Sequence, residues 1–449
     1  MNQRLVPVGH GGALTRRTLI TGGAAVIGGA WAATSLAGCA PLAAAGVDQV
    51  NQLAFWHLLS GGDGIRMSEL VDRANGDNPD FLAKQTVLTW GPPYYTKLAM
   101  ASAGGRAPDV AIMHASRVPG YAPGGLLDPW DTDLLAELEL REEDFPPLVW
   151  KKGFSGDKLY SIALDIHPFV LMYNRDIAES AGVLGSDGKL VGMTSPEQFI
   201  EVAQAMQQVT GGRAVSYGYL NDGAQLWRLW YTFYLQQGAT MSLPEGGRIE
   251  MDDDAAVASF EFIRQILDDE IATSKGDYAT AVAEFTGGKT GMFFSGVWEV
   301  PTAQAAKIPL GAMPIPTLFG TPAAYADSHS FVLPHQNDPD EGKRRDTYRF
   351  VSGIIRNSFD WAAAGHVPTY LPVTEDPGYA GLDPQADYVN IAEIVNYDPV
   401  AWFTGSGSDF QNVFGQNLQP VLLSGADPLE GIQGFRTAIN RLLSKPSPV

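Results

Sequence analysis

An α/β fold is the class this sequence predicts. Strand-like runs alternate with helical periodicities between Gln52 and His114, and such alternation makes a parallel sheet with crossover helices. The chain's 449 residues suffice for two or three domains with sizeable cores. Its single cysteine leaves no disulfide to stand in for a core.

The chain opens with an expected export signal over residues 1–38. Arg16-Arg17 precede a Gly- and Ala-rich apolar run from Thr18 to Gly38, with no acidic residue before Cys39. Gly22, Gly23, Gly28 and Gly29 dilute that run below what a membrane anchor needs. Leu36-Ala37-Gly38-Cys39 resembles a bacterial lipobox, in which the cysteine is lipidated and becomes the new N-terminus. Thr15-Arg16-Arg17-Thr18-Leu19-Ile20 resembles a twin-arginine export signal without its usual Phe at position 19. Residues 39–51, small and polar, read as a tether.

Gln52–Leu59 reads as a strand running into Ser60-Gly61-Gly62-Asp63-Gly64, and Ile65–Ala74 as a helix with Met67, Leu70 and Val71 on one face. A second strand is expected over Gln85–Trp90, a helix over Tyr94–Ala103 and a third strand over Pro108–His114. Lys158–Leu164 and Phe169–Tyr173 look like two more strands. Ser195-Pro196-Glu197 opens a helix with a capping serine, proline at the first position and acid in the first turn. Asp252-Asp253-Asp254 invites a metal reading, but a helical apolar pattern follows directly, so acids at a helix N-terminus explain it better. Arg344–Ile355 and Gly434–Leu443 supply further helices.

Formal charge is −20, and removing Arg4, Arg16 and Arg17 with the signal makes the remainder −20 − 3 = −23. So acidic a chain argues against nucleic acid and against adhesion to anionic lipid.

Five segments in order resemble the extracellular solute-binding proteins of ABC importers, in the sugar-binding group related to maltose-binding proteins. They are Gly104-Gly105-Arg106-Ala107-Pro108-Asp109-Val110; Gly125-Leu126-Leu127-Asp128-Pro129-Trp130; Leu159–Ala163 with Met172–Asp176; Phe285–Met292 with Gly296-Val297-Trp298; and Gly365-His366-Val367-Pro368. Ala163 and Gly291 depart from the family's usual Pro and Ala. The resemblance implies a two-lobe fold like that of periplasmic binding proteins, with hinge strands and a ligand cleft between the lobes. Residues 52–160 with 316–359 would form lobe one, and 161–315 with 360–449 lobe two. Hinges would fall near Ser161–Leu164, Met313–Thr317 and Asn357–Gly365. The expected protein is a lipid-anchored, monomeric carbohydrate receptor on the outer face of the cell membrane. It would deliver a mono- or oligosaccharide to membrane permeases by hinge closure. A glycerophosphodiester or an amino sugar is the alternative ligand.

Sugars present an apolar C–H face and a rim of hydroxyls, so aromatic faces with Asp, Asn, Arg and His side chains are the groups to seek. At strand ends in lobe one the candidates are Trp56, His57, Asp63, Trp90, Tyr94, His114 and Ser116. Asp165 and His167 lie at a presumed hinge. Trp227, Trp230, Trp298, His329 and Trp402 complete the set, with Trp298 matching the family's cleft tryptophan. Core packing is the competing reading for Trp56, Trp227 and Trp230. Arg66, Arg117 and Arg228 could meet a phosphate, though surface placement suits each better.

An exported glycan hydrolase would need two carboxylates across a cleft, and no motif nominates such a pair. Metalloprotease, serine-hydrolase and phosphate-loop patterns are missing from the sequence, so no catalysis and no cofactor are expected. His57, His114, His167 and His329 are too scattered along the chain to define a metal site, and none is expected.

Overall fold

The computed structural model describes residues 50–447. The expected export signal, Cys39 and all but the last two residues of the expected tether lie outside the described residues.

The first sheet is built on Asn51–His57, which pairs in parallel with Phe81–Val87 on one side and Val110–His114 on the other. His329–Pro334 adds antiparallel to Val110–His114, and Leu127–Asp128 and Ser161–Ala163 both pair with His329–Pro334. Helices Gly61–Asp77 and Pro92–Ala103 are the crossovers that such parallel pairing requires. The second strand starts four residues earlier than its apolar run suggested. Its register sets Leu53 opposite Ala83, and the buried Phe81 and Ala83 fix which face turns inward. Phe55, Ile112, Phe331 and Phe350 meet in one core with Trp361.

The second sheet is organised by the ten-residue strand Asp165–Asn174, buried along its whole length. Met292–Gly296, Leu310–Pro314, Ala324–Asp327 and Val367–Pro368 all pair antiparallel to it. A larger aromatic core lies beside this sheet, with Trp227 and Trp230 of helix Gly223–Gln236 packed against Phe410, Phe414 and Phe435.

Two sheets with separate cores are the two lobes. Their boundaries move from the expected ones. Ser161–Ala163 pairs with lobe one, extending that lobe past residue 160. Ala324–Asp327 pairs with the lobe-two strand Asp165–Asn174, so residues 316–327 belong to lobe two and the second crossing falls at Asp327–His329 rather than Met313–Thr317. Trp361 is buried in the lobe-one core, beyond the expected limit at 359. The chain also passes between the sheets from Ala163 to Asp165 and again before Val367.

The helix starts follow the capping logic. Ser195 Oγ accepts from the Gln198 amide at 3.3 Å, and Asp252 Oδ1 accepts from the Ala255 amide at 2.9 Å. The aspartate triplet is a helix start.

Candidate functional site

A cleft of about 410 Å³ opens between the lobes, within the roughly 300–1,000 Å³ usual for small-molecule sites. Its lobe-one wall is the loop Leu58-Leu59-Ser60-Gly61-Gly62-Asp63, which leaves the C-terminal end of the first strand, together with Trp90 and His114. Ligands of open α/β sheets sit outside such strand ends. Gly61 makes the turn possible, with φ +59° at the first position of its helix. A side chain at Gly62 would stand 3.1 Å from Cβ of Pro301 in the other lobe, so the walls approach closely here.

The lobe-two wall is made of longer side chains: Asp222, Gln225, Arg228, Tyr278, Trp298, Glu299 and Thr302. They hold one another in place. Trp298 Nε1 donates to the Tyr278 hydroxyl at 2.7 Å, and that hydroxyl donates in turn to Glu299. The Arg228 guanidinium stands 4.9 Å over the Trp298 ring and donates to Ser406 Oγ at 3.2 Å. Gly296 lets the indole fold back, since a Cβ there would overlap the ring at 1.9 Å. Burial raises the Glu299 carboxyl above its usual range, and the nearby Asp63 charge adds to the shift.

The floor is histidine-rich. His114, His167 and His329 pack together, with His167 stacked on His329 at 4.2 Å between ring centroids. Behind them lies Asp165, fully buried. Burial opposes its ionisation, but His329 and His366 together with hydrogen bonds hold the carboxyl well below the normal carboxylate range. Burial, reinforced by His329, lowers His167 to about 3, and burial also lowers His114. For His366 burial is outweighed by the charges of Asp63 and Asp165, and its pKa is raised.

Of the residues nominated from sequence, Asp63, Trp90, His114, His167, Trp298 and His329 line the cleft. Asp165 stands one layer behind them. Five others are corrected. Tyr94 is buried in the lobe-one core, its hydroxyl donating to Ile112 O at 2.5 Å. His57 is buried within the sheet with Nε2 3.1 Å from Gln85 Oε1. Trp56 packs on the lobe-one core under Lys97, away from the cleft. Trp227, with Trp230, is core, its Nε1 donating to Asp398 Oδ1 at 2.6 Å. Trp402 packs against the lobe-two core, and a Cβ on Gly120 would fall 2.4 Å from its carbonyl oxygen. For Tyr94, His57, Trp56 and Trp227 the strand or helix face carrying the side chain packs within a lobe, whereas Trp402 sits in a turn whose backbone meets lobe one at Gly120 and whose ring packs on lobe two. Ser116 is likewise drawn off, its amide donating to Asp327 Oδ1 at 3.1 Å.

Arg228, expected at the surface, is 6% exposed and belongs to the wall. The other two arginines do not reach it: Arg66 pairs with Glu69 at 2.8 Å, and Arg117 lies over the Tyr95 ring. Sequence reading missed Asp222, Gln225, Tyr278, Glu299, Thr302 and His366. Position beside a motif was the available signal for Glu299, next to Trp298, and for His366, inside Gly365-His366-Val367-Pro368. The scattered histidines also prove close in space: His167, His329 and His366 gather around Asp165, which no linear spacing foretold.

A family model for bacterial extracellular solute-binding proteins matches residues 91–344, more than half of the chain. The sn-glycerol-3-phosphate-binding periplasmic protein UgpB of Yersinia enterocolitica is 24% identical over 432 residues, covering 87% of this chain and 91% of that protein. The fold is similar to that of the GacH receptor of Streptomyces glaucescens, solved unliganded and with acarbose, at TM-score 0.74 and 18% identity over 88% of this chain and 99% of that one. It is also similar to that of UgpB from Mycobacterium tuberculosis in complex with glycerophosphocholine, at TM-score 0.72 and 17% identity over 88% and 98% of the two chains.

Proposed function

The chain belongs to the bacterial extracellular solute-binding proteins, and from that premise we propose that its interlobe cleft captures a mono- or oligosaccharide for the permeases of an ABC importer. The composition of the cleft wall carries this reading. Two tryptophans face it from opposite lobes, Trp90 with an exposed ring and Trp298 locked by its partners. Around them stand three carboxylates, Asp63, Asp222 and Glu299, with Gln225, Thr302 and Ser60. Aromatic faces suit the C–H side of a sugar, and carboxylates accept from its hydroxyls.

A glycerophosphodiester is the second reading. Arg228 favours it, as do the N-terminal ends of helices Gly61–Asp77 and Gly223–Gln236, which both begin at the cleft. Against it stand three acids to one guanidinium, an excess of negative charge that repels phosphate and leaves hydroxyl binding untouched.

Ligand touching both walls would favour the closed state over the open one, and closure is what permeases would read. The receptor would act from the outer face of the membrane as a monomer, held by a lipid on Cys39 after export. Among the described residues no helix is long and apolar enough to cross a membrane. Cys39→Ser should abolish lipidation and release the protein into the soluble fraction, and continued membrane association would refute the anchor.

Thermal-shift titration against sugars, amino sugars and glycerophosphodiesters tests the ligand class. A ligand of the native state at a hundredfold excess over Kd adds about 2.7 kcal/mol of stability. A dose-dependent shift with sugars alone supports the first reading, a shift with glycerophosphodiesters alone replaces it with the second, and silence from all three classes refutes both.

A further inference from the structure

The three segments that cross between the lobes meet at one buried cluster. Asp165 and His167 open the long lobe-two strand, His329 opens the last long strand of lobe one, and His366 precedes Val367–Pro368. One donor atom from each of the four lies within 4.8 Å of all the others. The Nδ1 atoms of His167, His329 and His366 all turn to the Asp165 carboxylate, at 3.0, 2.8 and 3.2 Å.

As a hydrogen-bonded cluster this arrangement is overcommitted. The Asp165 oxygens already accept from Trp361 Nε1 at 2.7 Å and from the His329 amide at 2.8 Å. A carboxylate has about four lone-pair sites, so three imidazoles compete for the two that remain. His366 loses: its Nδ1 is buried without a hydrogen-bond partner. Its other nitrogen, Nε2, is 3.0 Å from the Asp63 carboxylate. With the ring proton donated there, Nδ1 turns a bare lone pair toward another carboxylate oxygen. Two acceptors facing each other are relieved either by a second proton on the ring or by a metal ion between them.

We propose that His167, His329 and His366, through Nδ1, together with Asp165 bind one divalent transition-metal ion of the Zn2+ type. Three imidazoles and a carboxylate are a borderline-soft donor set suited to such an ion. Bond lengths of about 2.0–2.2 Å in a tetrahedron put neighbouring donors roughly 3.3–3.5 Å apart, so the histidine–carboxylate spacings of 2.8–3.2 Å must open by a few tenths of an ångström and donors as far as 4.8 Å apart must draw together. The Asp63–His366 pair supplies the carboxylate behind a ligating histidine that metal sites generally use to fix ring orientation. His114 is outside the set, since its Nδ1 is engaged by the Tyr95 hydroxyl at 2.5 Å. An ion here would join all three crossing segments. His167 and His329 also line the cleft, so the ion would lie just beneath the solute.

The full chain, stripped with chelator, would be titrated with Zn2+ by calorimetry and with Co2+ by visible absorption. One equivalent is expected, with the intense absorption of four-coordinate Co2+, and affinity at least tenfold lower in His366→Gln and His167→Gln. His335→Gln, outside the cluster, should bind as the unsubstituted chain does. Stoichiometric uptake that persists undiminished in both cluster variants would overturn the site. So would no uptake, which would leave His366 as an imidazolium between two carboxylates. Should the variants fail to fold, the Co2+ spectrum of the unsubstituted chain decides: four-coordinate absorption at one equivalent supports the site, and its absence refutes it.

Discussion

The two walls of the cleft are built by different means. Lobe one presents a glycine-containing turn, short polar groups and the first turn of a helix, with Trp90 left 41% exposed at the rim. Lobe two presents long side chains fixed by one another, from Arg228 over Trp298 to Tyr278 and Glu299. A wall of backbone adapts little and discriminates little. A wall of interlocked side chains can be changed one residue at a time, at the cost of disturbing its neighbours. Ligand selectivity should therefore reside in lobe two, and lobe one should govern how far the lobes close.

Substitutions on each wall test the difference. Trp298→Ala should have the largest effect, weakening the ligand found in the thermal panel by roughly 1–3 kcal/mol in calorimetry, and Trp90→Ala less. Equal losses would erase the difference between the walls. Arg228→Lys keeps the charge but gives up the flat guanidinium on Trp298, and should cost about 0.5–2 kcal/mol of affinity. Gly62→Val tests the other wall. A side chain there meets Pro301, so X-ray scattering should show less compaction on ligand addition, with affinity reduced only a fewfold; unchanged compaction would mean that Gly62 does not limit closure.

The smallest effect should come from His57, which is buried in the sheet just before the lobe-one loop and lines neither wall. Burial lowers its pKa below the usual histidine value of about 6.5. Below that value the unfolded chain binds a proton that the folded chain refuses, so stability is full above pH 6.5 and declines as pH falls. Denaturant unfolding from pH 7 to 5 should show a shallower decline for His57→Gln, by at most about 1.4 kcal/mol per pH unit. An identical slope would clear His57 of that role.

Trp227 and Trp298 show where sequence reading reached and where it stopped. Trp227 and Trp230, three apart on one helix, are what local periodicity can see, and their helical spacing correctly raised core packing as a reading. Trp298 stood out through the resembling segment Gly296-Val297-Trp298. Its partners did not, because Arg228 and Tyr278 are seventy and twenty positions away and nothing in their own neighbourhoods marks them. Arg228 in particular sits in a helix whose other side chains are nearly all core.

By itself the sequence determined what depends on local pattern: the alternating α/β build, the helix starts at Ser195 and Asp252, and the ordered segments that resemble the family. The tertiary structure decided what depends on strand pairing and lobe apposition. Residues 316–327 joined lobe two only because Ala324–Asp327 found its partner in Asp165–Asn174. Asp165, His167, His329 and His366, spread over two hundred residues, became one cluster only because three crossing segments converge. The physical reason is the range of the forces: capping and periodicity act within a turn or two, whereas the cleft and its floor are made by contacts that exist only after the sheets have formed.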